Sequence, residues 1–302
     1  NTAAVSSVTL LSPAKLNLFL AVTGRRADGF HDLVSLAAPV EFGDDLQVEL
    51  TPGPEFVLDC DDPALATDET NLVIRAAKAF KRETAYDGGA RFVLRKRIPQ
   101  GAGLGGGSSN ATTTLLALNQ LTHSPLTQSK LSALASEIGS DCALFLHNRA
   151  VVMRGRGEKI ETLPDAVCRR LSGRRVCIIK PSFGIATPWA YRALAAEAPR
   201  LYLPAEAAER RLASWLQSPA APIESLLYNS FETVAFRKFV ALPALLDSLP
   251  ASFGLTTAMS GSGSACYAFL SENIDAARCA ALRQGVQDAW GREAWVAETR
   301  LR

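Results

Sequence analysis

Pro99-Gln-Gly-Ala-Gly-Leu-Gly-Gly-Gly-Ser-Ser-Asn-Ala111 is the stretch that decides how this chain is read. Glycine admits positive φ and lets an anion approach the backbone closely. Successive amides in such a loop point inward and form an anion nest. A helix that follows the loop adds free N–H groups and the positive end of its dipole. Ser108 and Ser109 stand where hydroxyls can cap that helix or reach a phosphate oxygen or Mg²⁺. No Asp, Glu, Lys or Arg occurs from Ile98 to Ser129, which fits capture by backbone rather than by lysine.

Two familiar loops can be tested against it. Gly101, Gly103 and Gly106 satisfy G-x-G-x-x-G, but the dinucleotide reading wants an acidic residue about twenty positions on. Thr122 to Lys130 offers none. A Walker A loop needs Gly-Lys-Ser/Thr, and the sequence has no Gly-Lys dipeptide. The plainest reading is a flexible glycine linker. Linkers are seldom held between a β-rich run and an amphipathic helix.

Working outward, the first half reads mostly as strands. Ser7–Leu11 and Leu16–Val22 flank Pro13, while Leu46–Leu50 and Glu55–Asp59 alternate. Asn71 to Glu83 places Leu72, Ile74, Ala77 and Phe80 at helical spacing, with Asn71 as N-cap. Arg91–Ile98 reads as a strand ending at Pro99. Ser108–Leu121 and Thr127–Ile138 read as helices, although Thr112, Thr113 and Thr114 weaken the first. Ala150–Arg154 is a further strand, and Leu163–Gly173, with Pro164, looks like a linker. Beyond it come a strand at Arg175–Lys180, several helices to about Leu249, and a glycine turn at Ser260–Gly263. A strand at Cys266–Leu270, a helix at Ile274–Ala289 and a strand at Ala294–Glu298 close the chain. This order predicts an α+β protein of two domains, 1–165 and 166–302.

Composition bounds the rest. The chain has 302 residues, 48% hydrophobic and 21% charged, ample for a core without metal or disulfide staples. A net charge of +2 argues against a general polyanion surface, so neither nucleic acid nor membrane is an expected partner. The six cysteines form no C-x-x-C pair, and apolar runs such as Val176-Cys177-Ile178-Ile179 read as holding buried free thiols of a reducing compartment. No secretory signal is visible. Residues 1–14 are Ser/Thr/Ala-rich and free of acid, open to reading as a transit-peptide remnant or a short tail. The expected location is a bacterial cytoplasm, with a plastid stroma as alternative. The expected state is a monomer or weak homodimer.

The glycine stretch resembles the phosphate loop of the GHMP kinases, a fold distinct from the P-loop enzymes. Ser12-Pro-Ala-Lys-Leu-Asn-Leu-Phe-Leu20 and Met259-Ser-Gly-Ser-Gly-Ser264 resemble two further signatures of that family, in order, so the likeness covers nearly the whole chain. Gly24-Arg-Arg-Ala-Asp-Gly-Phe-His31, Gly139-Ser-Asp-Cys142 and Gly155-Arg-Gly-Glu158 are similar to the branch whose acceptor is a cytidine diphosphate-linked methylerythritol, an intermediate of non-mevalonate isoprenoid synthesis. The resemblance implies a ribosomal protein S5 domain 2-like ATP-binding domain and a ferredoxin-like substrate-side domain. It also implies ATP and Mg²⁺ as cofactors. The chain departs from the branch at two places: Phe30 stands for the usual Tyr, and Cys142-Ala143 for Val-Pro.

Candidate residues follow. From the residues alone, Asp141 is either an N-cap or a base. Lys15, the one charge from Asn1 to Val22, either snorkels or is paired in a pocket. The resemblance makes Asp141 and Lys15 the catalytic pair, with Asn17 hydrogen-bonding the acceptor. A single histidine after a turn is usually structural or solvated. By resemblance His31 reads the cytosine edge, Phe30 and Tyr191 flank the base, and Thr187 is a weaker substrate residue. The resemblance puts ATP over Gly101, Gly103, Leu104, Gly105, Gly106, Gly107, Ser108 and Ser109, with Asn71 and Lys96 as further nucleotide contacts. It packs Ser260–Gly263 on the phosphate loop; otherwise that segment is an ordinary tight turn. A homoserine- or mevalonate-type kinase and a non-catalytic nucleotide-binding regulator are the alternatives.

Overall fold

The structure, a computed structural model, describes residues 6–302. The part of the transit-peptide reading that falls on residues 1–5 lies outside them. In chain order the elements are β1 (Ser7–Arg25), β2 (His31–Thr51), β3 (Phe56–Cys60), α1 (Leu72–Thr84), β4 (Gly89–Arg95), α2 (Gly106–Leu121), α3 (Gln128–Ile138), β5 (Val151–Gly155) and β6 (Lys159–Thr162). Then come α4 (Asp165–Leu171), β7 (Arg175–Lys180), α5 (Thr187–Ala195), α6 (Ala205–Leu216), β8 (Tyr228–Asn229), α7 (Glu232–Lys238), α8 (Ala241–Leu246) and α9 (Leu249–Phe253). The chain closes with β9 (Thr257–Met259), β10 (Cys266–Phe269), α10 (Ala276–Trp290) and β11 (Trp295–Arg300). The mixture is α+β, as expected.

Two compact units are interleaved in sequence rather than meeting at 165. The first holds the described residues through Ala14, with Phe42–Pro99 and Gly105–Asn148; the second holds Lys15–Glu41, Gln100–Leu104 and Arg149–Arg302. Strands β1 and β2 therefore contribute to both.

In the first unit β4 pairs antiparallel with the Asp45–Thr51 half of β2 and parallel with β3. Gly43 is obligatory there, since a Cβ would meet the Ser12 carbonyl oxygen at 2.2 Å. Helix α1 starts as expected: Asn71 accepts from the Val73 amide. Helix α2 forms despite its threonine run because packing holds it: Thr112, Thr113 and Thr114 are all buried, and the hydroxyls of Thr112 and Thr114 bond the carbonyls of Ser108 and Asn110 one turn back. Nearly every residue from Ser109 to Asn119 is buried.

In the second unit the Leu33–Ala37 half of β2 pairs with β5, and β1 pairs with β8 at Phe19 and Leu20. A separate four-stranded antiparallel sheet runs β11-β7-β10-β9. With α10 between its last two strands, that is the order of a ferredoxin-like sheet. Three readings need correction. The strands on either side of Pro13 are one strand, β1. The segment from His31 to Phe42, left unassigned by periodicity, is the first half of β2, buried almost throughout. It carries no alternation because both its faces are covered. The supposed linker contains helix α4, with Pro164 at its N-cap position and Val167, Cys168 and Leu171 buried. Proline fits there because the first helical amides have no intrahelical partner.

Candidate functional site

The glycine loop is divided between the units, and each part is built differently. In the second unit Gly101 and Gly103 have φ of +60° and +75°. Their segment is stitched to other backbone: Ala265 donates to the Ala102 carbonyl at 3.0 Å, Lys15 to the Leu104 carbonyl at 3.0 Å, and Ile185 to the Gly101 carbonyl at 3.3 Å. The Ser260–Gly263 turn packs on this segment, as the resemblance implied. Asn229 holds the turn from beneath, its Nδ2 donating to the carbonyls of Met259 (2.7 Å) and Gly261 (2.8 Å). Glu232 accepts the Met259 amide at 2.8 Å. Burial pushes the Glu232 carboxyl up to about 7 against the opposing pull of that amide.

In the first unit α2 begins inside the loop, with Gly105 at the N-cap in the left-handed region and no capping side chain. Its first amides are thus the donors an anion would meet. Ser109, expected to cap or reach a ligand, is wholly buried, and its Oγ has no hydrogen-bond partner. Ser108 is the more accessible hydroxyl. Lys96, whose simplest reading was a solvated strand end, is instead nearly buried. Its ammonium pairs with the fully buried Asp44 and reaches Asn110 Oδ1 at 3.3 Å. Asp44 also accepts from Asn110 Nδ2 and from the amides of Arg97 and Ile98. The Lys96 ammonium lies 3.3 Å from where a Cβ on Gly106 would sit, beside the first turn of α2. Asn71 uses both ends of its amide structurally, accepting from Val73 and donating to the Ala66 carbonyl at 2.7 Å.

Asp141, also in the first unit, stands at the N-cap of the 3₁₀ turn Cys142–Leu146 without making the capping hydrogen bond. The segment is tied to α2 by Thr112 Oγ1, which donates to the Cys142 carbonyl at 2.8 Å. Burial, with Asp141 nearby, raises the Cys142 thiol to about 11 despite hydrogen bonds with Ser108 and Thr112. It remains a protonated, small apolar side chain.

Lys15, in the second unit, is 4% exposed and donates from Nζ to Asn17 Oδ1. Asn17 is held on every side. Its Nδ2 donates to Ser35 Oγ at 2.9 Å, its amide to Ser260 Oγ at 3.3 Å, and its carbonyl accepts from the Tyr267 hydroxyl at 2.9 Å. Burial raises Tyr267 well above the usual phenol value, so it stays a donor. Ser35, Tyr267 and Asn229 were not legible as site residues, being 18 or more positions from the motif they serve.

The β1–β2 hairpin tip presents Phe30 and His31. Gly29 has φ of +86°, and Arg26 donates its amide to the Phe30 carbonyl at 2.8 Å. Phe30 is 51% exposed, with the Arg156 guanidinium 4.6 Å above its ring. His31 lies 4.8 Å from the Tyr191 ring, tilted 31°, and its Nε2 is 3.1 Å from the Tyr202 hydroxyl. Burial, and secondarily Arg25, holds the imidazole below its ordinary value, so it is neutral near pH 7. Tyr191 thus packs on His31, and Phe231 lies edge-on to it at 4.8 Å. Thr187 opens α5 with its hydroxyl 2.8 Å from Ser262 Oγ.

A family profile described as GHMP kinases N terminal domain matches residues 71–149. The chain is 36% identical to the 4-diphosphocytidyl-2-C-methyl-D-erythritol kinase of Prochlorococcus marinus, over 95% of this chain and 92% of that one. The chain belongs to the 4-diphosphocytidyl-2-C-methyl-D-erythritol kinase family. The enzyme of that name from Protochlamydia amoebophila is 39% identical, over 86% of this chain and 84% of its own. A crystal structure of 4-(cytidine 5'-diphospho)-2C-methyl-D-erythritol kinase superposes with a TM-score of 0.73 at 35% identity, covering 97% and 99% of the two chains. Homoserine kinase from Cytophaga hutchinsonii gives a TM-score of 0.75 at 17% identity, covering 100% and 96%, a likeness of fold alone.

Proposed function

We infer that the chain is an ATP-dependent kinase that phosphorylates the 2-hydroxyl of 4-diphosphocytidyl-2-C-methyl-D-erythritol on the non-mevalonate route to isoprenoid precursors. What carries the reading is the likeness over 95% of the chain to an enzyme of that name, together with the hairpin tip, where an exposed Phe30 stands next to a buried, neutral His31.

Phosphoryl transfer asks the protein for positioning and charge stabilisation. The amides of the glycine loop and the uncapped start of α2 bind the ATP phosphates, with Ser108 and the Lys96 ammonium close to that turn. Asp141 takes the acceptor proton. Lys15 steadies the oxygen as it attacks, and Asn17 fixes the acceptor. Phe30 supplies a stacking face to the cytosine, and His31 hydrogen-bonds its edge. Among the described residues no group of three or more His, Cys, Asp or Glu could hold a metal. Mg²⁺ fits here as a cation carried mainly by phosphate oxygens and water, which is its usual habit. When bound it would neutralise the charge on the transferring group.

The six cysteines are free, which fits a reducing cytoplasm. No helix of the described residues is long and apolar enough to cross a membrane. The test is ADP release with the cytidine-linked acceptor, homoserine and mevalonate in parallel, for the wild type and His31→Ala. The reading expects turnover on the first acceptor alone. It expects a KM raised about tenfold or more in the variant, the scale of one lost hydrogen bond. An unchanged KM would remove the cytidine pocket and favour another acceptor.

A further inference from the structure

Resting on the role proposed for Lys15, we propose that Ser35 is a positioning residue for that lysine, acting through the side chain of Asn17. The three side chains are 4%, 5% and 1% exposed for Lys15, Asn17 and Ser35, so no bulk water competes for their hydrogen bonds. Ser35 has one hydroxyl proton, and it goes to the Phe19 carbonyl at 2.7 Å, a group that can only accept. Toward Asn17, at 2.9 Å, the serine oxygen therefore has only lone pairs to offer. Asn17 must answer with Nδ2, which turns Oδ1 to the other side, and there the Lys15 ammonium donates to it. An ammonium can only donate.

A carbonyl at one end and an ammonium at the other thus demand the same orientation of one amide. The chain Lys15 to Asn17 to Ser35 to Phe19 carries its hydrogen bonds in a single direction. The backbone of Asn17 is pinned independently, by Ser260 and Tyr267, so the only freedom left to this residue is rotation of its amide. Ser35 removes that freedom. Without its hydroxyl, Nδ2 loses its buried acceptor. The amide is then anchored through Oδ1 alone, so it swings together with the ammonium it carries, and the charge that serves the acceptor oxygen is no longer fixed in place.

The experiment compares the wild type with Ser35→Ala and Ser35→Cys, measuring kcat and KM for ATP and for the cytidine-linked acceptor. Thermal unfolding and the Asn17 side-chain amide signals by nitrogen NMR accompany the kinetics. Cysteine fills the space of serine with a weak donor and acceptor, so it separates hydrogen bonding from packing. The expected result is a kcat lowered about tenfold or more in both variants, the scale of one misplaced charge-assisted hydrogen bond. Both KM values should stay within about twofold, as expected when only transition-state interactions are lost. The Asn17 amide signals should shift in both. Wild-type kcat in Ser35→Cys, unshifted Asn17 signals, or a loss that merely follows the unfolded fraction would overturn the inference. Wild-type protein inactive on the cytidine-linked acceptor would take down the proposed function itself, whereas active wild type with unaffected variants removes only the role of Ser35.

Discussion

A Cβ on Gly103 would lie 2.1 Å from the Ser260 carbonyl oxygen, and the Ser260 hydroxyl donates to the Gly103 carbonyl at 3.1 Å. Two glycine motifs 157 residues apart in sequence are thus in backbone contact within one compact unit. Gly103 also has φ of +75°. Gly103→Ala carries about 1–2 kcal/mol of left-handed strain before the collision with Ser260 is added. The expected outcome is a lower unfolding midpoint in urea and a raised KM for ATP, because the loop amides move with the backbone. Wild-type values for both would show that the two motifs can part without consequence.

Asp44→Ala should cost more stability than an ordinary surface charge change. The carboxylate is fully buried and receives Lys96, Asn110 and two backbone amides. Removing one partner of a buried pair leaves the other charge uncompensated, about 3–5 kcal/mol. Urea titration reads that loss. The KM for ATP should rise as well, because Lys96 is no longer held beside the first turn of α2.

The Glu232 carboxyl sits at about 7 in the folded protein, against 4.5 for the free group, because it is buried. Between those values the native state holds a proton that the unfolded chain has lost. Its contribution to stability is therefore complete below about pH 4.5 and disappears as pH rises through about 7. Glu232→Gln should flatten the fall in melting temperature across that window. An identical slope in both proteins would mean the carboxyl is ionised throughout.

His31 gives the opposite kind of prediction, on binding rather than folding. Its imidazole is held below the ordinary value, first by burial and then by Arg25. The neutral form that reads a base edge should persist to more acid pH than for a free histidine, about 6.5. The KM for the cytidine-linked acceptor should stay flat down to that value and rise only beneath it, measured at constant ATP. A rise already centred on the ordinary value would place His31 in open solvent.

Local chemistry was legible in the sequence, and distant pairing was not. The Asn71 cap, the helix after the glycine loop and the closing strand–helix–strand order follow from spacing and capping within a few residues, and the structure has them. The first half of β2 escaped because burial on both faces erases alternation. Helix α4 escaped because Pro164 reads as a breaker when it marks a start. At the site, Lys15, Asn17 and His31 stood out by their motifs. Their supports Ser35, Tyr202 and Tyr267 did not, since a serine or tyrosine in an apolar run declares nothing until strand register sets it against its partner. Asp44 was hidden likewise, its four donors lying 50 or more residues away.

The central claim is direct transfer of the γ-phosphoryl group to the acceptor's 2-hydroxyl with Asp141 as base. Phosphorus NMR of a reaction containing Mg-ATP and 4-diphosphocytidyl-2-C-methyl-D-erythritol tests it most directly, run beside Asp141→Asn. The account predicts ADP and a new phosphate monoester on the 2-oxygen, with the rate down about 10²–10⁴-fold in the variant, the usual yield of general base catalysis. A monoester formed at the same rate by Asp141→Asn would contradict the base, and ADP without any new monoester would contradict the transfer.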